Sequence, residues 1–151
     1  MKRSGLTALC LAALAVALPG AGCGGDDSDQ FREDYNAAVA KLSRINSDIG
    51  SAAGGAAGQS NDEIAKEFDK IADTAEQTRS DLADLDPPDD AKEEFDTLLS
   101  SLGKGVEDLR AVASAAKSDN PAKANEAVRD LARTGQEITE AEDALKRAVD
   151  G

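Results

Sequence analysis

The sequence predicts an all-α protein folded as an antiparallel up-down-up-down four-helix bundle with heptad-like seams. Three observations lead there. Apolar or small residues recur at alternating spacings of four and three along four stretches, the pattern that sets one helical face against its neighbours. Ser, Asn and Pro punctuate the gaps with start and stop chemistry. Two of the connections are short, which makes their flanking helices antiparallel neighbours.

The first stretch places Phe31, Tyr35, Ala38, Leu42, Ile45, Ile49 and Ala52 on one face and predicts a helix over 28–52. Residues 51–59 follow, a Gly- and Ala-rich segment expected to be a flexible loop. Ser60-Asn61-Asp62-Glu63 is a capping box, opening a helix over 61–85 with Ile64, Phe68, Ile71, Ala75, Thr78, Leu82 and Leu85 in its seam. Asp86-Pro87-Pro88-Asp89 must break that helix, because proline lacks a donor and restricts the residue before it. The third helix, 88–118, carries Ala91, Phe95, Leu98, Leu102, Gly105, Leu109, Val112 and Ala116 inward. Gly103 and Gly105 lie mid-helix, at a cost of about 1 kcal/mol each against Ala. They read as a close contact with another helix near Gly135, with a hinge as the alternative. Asn120-Pro121 starts the last helix, 121–149, whose seam runs Ala124, Val128, Leu131, Gly135, Ile138 and then shifts to Ala141, Leu145 and Ala148 to keep Glu142 out.

Ahead of the bundle the chain reads as an address. Lys2 and Arg3 precede an apolar run from Leu6 to Leu18, too short for a membrane-spanning helix, which takes about 20 residues. The run ends at Ala21-Gly22-Cys23 before a polar stretch, Gly24-Gly25-Asp26-Asp27-Ser28-Asp29. Small residues directly before that cysteine resemble a bacterial lipobox, whose cysteine is thioether-linked to diacylglycerol and becomes the new N-terminus. Gly20 stands where that signal usually has an aliphatic residue. The resemblance implies a signal peptide over 1–22, a lipidated Cys23 with a flexible tether over 23–28, and a bundle domain over 29–151. Cysteine usage agrees: with Cys10 in the discarded segment, Cys23 is alone in the mature chain, and acylation accounts for a thiol with no partner. The alternatives are an ordinary secretory signal that leaves Cys23 free or trims it away, and a retained membrane anchor.

Composition excludes several functions. There is no His among the 151 residues, so catalytic pairs, metal sites and haem ligation that need imidazole are out. The 30 acidic against 17 basic residues, a net charge of −13, exclude a nucleic-acid partner, which needs clustered Lys and Arg. Leu, Ile, Val and Phe are sparse and Ala abundant in the mature chain, so the core is expected to give only modest stability. Carboxylate pairs such as Glu93-Glu94 and the Glu140–Asp143 group read as solvated helix faces. They lack the His of di-metal bundles. Asp26-Asp27-Ser28-Asp29 lacks the Gly and closing Glu of a calcium loop, and Gly103-Lys104-Gly105 lacks phosphate-loop spacing. No catalytic residue, cofactor-binding residue or metal site is assigned, and no cofactor is expected.

Leu82-x-x-Leu85-x-Pro87-Pro88, followed by Phe95 and Leu98-Leu99, resembles small Ala-rich helical lipoproteins of actinobacterial type. The resemblance implies location and fold and carries no catalytic residue to this chain. The reading that follows is a non-enzymatic lipoprotein on the extracytoplasmic face of the cell membrane. It would be held through Cys23 and act as an interaction or envelope-structural module with an envelope protein partner, oligomeric state open. An extracytoplasmic binding protein for a small ligand or divalent cation is the alternative. Topology adds an orientation: the first helix start, the 85–89 turn and the chain end share one acid-rich, membrane-proximal end, which anionic headgroups repel. A partner is expected at the opposite end, around 51–59 and 118–120, or on a helix face.

Overall fold

A computed structural model describes residues 26–118 and 120–150. Four helices account for nearly all of them: α1 Asp26–Gly55, α2 Asn61–Ala83, α3 Lys92–Lys117 and α4 Pro121–Asp150. They form the expected all-α four-helix bundle. α2 packs closely on α3, and α3 on α4, while α1 leans on α2.

The boundaries follow local chemistry. Ser60 caps α2 as read from the sequence: its hydroxyl accepts from the Glu63 amide at 3.3 Å, and the Glu63 carboxylate accepts from the Ser60 amide at 2.8 Å. Asn120 caps α4 by accepting from the amides of Ala122 (3.1 Å) and Lys123 (3.2 Å). The two prolines end α2 slightly early, at Ala83, and a 3-10 turn over Asp89–Ala91 leads into α3.

Two expected boundaries are corrected. The 51–59 segment is not an open loop: α1 continues to Gly55, and a 3-10 turn over Ala56–Gly58 completes the connection. Ala52, 1% exposed, holds that last turn against the bundle, and the Ser51 hydroxyl donates to the Ser47 carbonyl at 2.9 Å. Upstream, α1 begins at Asp26, so half of the 23–28 tether belongs to the helix.

The core is continuous along the bundle, and three of its leucines, Leu82, Leu98 and Leu145, are fully buried. The seams of α1, α2 and α3 match their heptads. That of α4 does not: Ala127, Thr134, Ala141 and Leu145 are buried, whereas Val128 is 53% exposed and Gly135 is exposed. Thr134 tolerates burial because its hydroxyl donates to Asp108 of α3 at 2.6 Å. Once Thr134 is allowed inside, the register of Ala141 runs back by sevens through Thr134 to Ala127, and no shift is needed.

Of the mid-helix glycines, Gly105 makes the close contact. A methyl group there would lie 3.2 Å from Ile138 Cδ1 and 3.9 Å from Thr134 Cγ2. At Gly103 the nearest atom would be Arg79 Cδ at 3.9 Å, and at Gly135 nothing would lie within 4 Å. Gly105 therefore lets α3 and α4 approach; its partner is Ile138, not Gly135.

Candidate functional site

Cys23, the predicted lipidation site, lies outside the described residues together with the signal segment 1–22 and residues 24 and 25. The structure does place the start of α1 three residues beyond Cys23, so the end of the bundle that receives α1 is the end nearest the proposed anchor.

That end is built by three segments, as the topology required. Phe31 stacks on Tyr35 one turn along α1, with ring centroids 5.8 Å apart, and meets Phe95 of α3 edge-on at 5.6 Å. Both arrangements are favourable for aromatic quadrupoles. Arg32 crosses to α4, where its guanidinium donates to the Val149 carbonyl at 2.6 Å and lies 3.8 Å from the Asp150 carboxylate. It thus satisfies a carbonyl that the last turn of a helix leaves without a partner, and places a cation at the negative end of the helix dipole.

Acidic groups surround this cluster. Tyr35 is half-buried between α1 and α4; burial first, then the charges of Glu142 and Asp143, push its phenol above the ordinary tyrosine range. Burial, then Asp143, also raises the Glu142 carboxyl. Glu140 and Asp143 are exposed, so the Glu140–Asp143 group is a solvated face with one member turned inward. Glu93 is exposed and Glu94 half-buried at the start of α3. The Asp89 carboxyl is held low by a hydrogen bond from Lys92 at 2.6 Å. Among the described residues no group of three or more acidic or thiol side chains converges as a metal site.

Two shallow depressions lie elsewhere on the described surface. One, of about 580 Å³, lies along Glu93, Thr97, Ser100 and Lys104 of α3. Another, of about 180 Å³, lies between α1 and α2 and is lined by Ile45, Asp48, Glu67 and Thr74. Gly103-Lys104-Gly105 sits inside α3, where Lys104 pairs with Glu137 of α4 at 3.3 Å. No helix among the described residues is long and apolar enough to cross a membrane.

The heptads put Phe31, Tyr35 and Phe95 in seams but do not show that they meet at one end. The four-residue spacing of Phe31 and Tyr35 gave their pairing. The reach of Arg32 to α4 has no local signal, because it depends on where the chain end lies. Comparison with family models, with curated proteins and with solved structures finds no match to this chain.

Proposed function

We propose that the chain is a lipoprotein held on the extracytoplasmic face of the cell membrane through Cys23, serving as a non-catalytic interaction or envelope-structural module. The observation that carries this reading is the sequence Ala21-Gly22-Cys23, which leads within three residues into a four-helix bundle. The short link supports a bundle whose α1 end faces the membrane. Asp84, Asp86, Asp89 and Asp90 gather at that end, and their repulsion from anionic headgroups keeps the bundle standing off the surface. The opposite end, where Ala56–Gly58 and the 118–120 turn lie, is then presented outward.

Mass spectrometry of the mature N-terminus tests the anchor. A diacylglycerol-modified Cys23 is expected, and an unmodified Cys23 or cleavage elsewhere contradicts it. Cross-linking in native envelope tests the module. A discrete protein partner that is lost when residues 53–58 are deleted, with helicity retained, supports it; unchanged capture refutes the outward-end assignment. A saturable, calorimetrically detected binding of calcium or magnesium without a protein partner would favour ligand binding instead.

A further inference from the structure

The side of the bundle formed by α1 and α4 differs from the other three in its charge. Lys41 of α1 pairs with Asp81 of α2 at 2.7 Å, Lys117 of α3 with Asp69 of α2 at 2.8 Å, and Lys104 of α3 with Glu137 of α4 at 3.3 Å. Between α1 and α4 the one ion pair among the described residues is Arg32–Asp150, at the α1 end. Beyond it α1 carries no charge on this side, and α4 none past Glu142. At 3.6 residues per turn, the stripe of α1 that starts at Arg32 and Tyr35 continues as Val39, Ser43, Asn46 and Gly50. On α4, the stripe that includes Glu142 runs back through Thr139, Gly135, Leu131 and Val128.

The same side is open. α1 makes its close backbone approach to α2 rather than α4. Val128 is the one exposed large apolar residue among the described residues, at 53%, and a methyl group at Gly135 would touch nothing.

We propose that this α1/α4 face, uncharged past Glu142, pairs with the same face of a second copy of the chain. The two copies would be related by a two-fold axis parallel to the helices, with α1 of each against α4 of the other. Charge decides the occupant. Copies at −13 repel each other, and this face is where they meet with least repulsion, while a basic partner would be drawn to the acidic sides. Symmetry fits too. The patch holds one up-running and one down-running helix, so the two-fold makes antiparallel contacts, and small residues let the helices approach. Two helices each about 10 Å wide and some 25 Å long offer about 500 Å² per copy, at the low end for specific association, so the dimer is weak and concentration-dependent. The axis keeps both Asp26 ends on one side, compatible with two chains anchored in one membrane. The pairing does not itself rest on the anchor.

Cross-linking of two differently tagged full-length copies tests it. Arg32 meets Val149, and equal rise along both helices brings Ser43 and Thr139 to about the same height. One copy carries Ser43→Cys and the other Thr139→Cys, with copies lacking an introduced cysteine setting the background. Oxidation should yield a mixed disulfide dimer, and Val128→Glu should cut its yield at least about tenfold with helicity unchanged, as expected for a charge placed within the interface. Three results would overturn the proposal: no mixed dimer above background from folded copies, equal linkage when Asp73→Cys replaces Ser43→Cys, or capture of a different protein at these positions.

Discussion

α3 and α1 are built from similar seams and end in different situations. α3 buries ten residues out of 26, among them Ser101, Val106, Ala113 and Ala115, which lie beside its heptad seam rather than in it. It is packed on one side by α2 and on another by α4. α1 is longer, at 30 residues, yet it buries a single stripe against α2 and is fastened to α3 and α4 at its first turns, through Phe31 and Arg32. The difference teaches that a heptad reports which residues face inward but not how many neighbours a helix has. α3 is the axis of the structure, and α1 is packed along one neighbour and meets the others at its first turns.

Truncations at the two kinds of position should break this comparison if it is wrong. Leu98→Ala, at a site with no exposure, should cost about 2–5 kcal/mol in chemical denaturation, from lost transfer energy and the cavity left behind. Val128→Ala, on the open side of α4, should stay within about 0.5 kcal/mol of the parent. Comparable losses at both would mean that α4 is packed all round.

The fastening of α1 gives the next effect. Arg32→Ala removes a charge-assisted hydrogen bond to a helix-end carbonyl. Because that side chain is partly exposed, a loss of about 1 kcal/mol is expected. Faster amide exchange should be confined to the first turns of α1 and the last of α4. Glycine substitutions separate the α3/α4 contact from the open side. Gly135→Ala should stabilise by up to about 1 kcal/mol, since a methyl group there meets nothing and the helix loses a flexible residue. Gly105→Ala should gain less or lose, because Ile138 must yield from 3.2 Å.

The smallest effect is a pH dependence. Glu142 has a folded-state carboxyl raised by burial and by Asp143. Its favourable contribution is therefore complete below the unfolded glutamate range and is lost as pH rises through the raised folded value. Glu142→Gln should raise the melting temperature at neutral pH and have no such effect once both states are protonated. An equal gain at all pH values would assign the change to packing rather than ionisation.

Much of this was legible in the sequence, for reasons that particular residues show. Ser60-Glu63, Asn120-Pro121 and Pro87-Pro88 act over a few residues, and each marks a boundary in the structure. Seam residues from Phe31 to Val112 were readable because large apolar side chains dominate them. Three things were not readable. The Ala- and Gly-rich end of α1 gave no helix signal, yet burial of Ala52 extends the helix to Gly55. The α4 seam was misplaced because a buried Thr134 is satisfied only by Asp108, from another helix, while Val128 is apolar and points outward. The Arg32 contact at the α1 end depends on tertiary placement alone. Cys23, by contrast, was read from a signal that the described residues do not reach.

Native-state hydrogen exchange on the full chain tests most directly the claim that α3 is the axis and α1 a helix packed along a single neighbour. Amides of α3 should exchange only with global unfolding, while those of α1 from about Ser43 to Gly55 exchange through a separate opening of lower free energy. Equal protection of α1 and α3, both lost in one cooperative step, would contradict it.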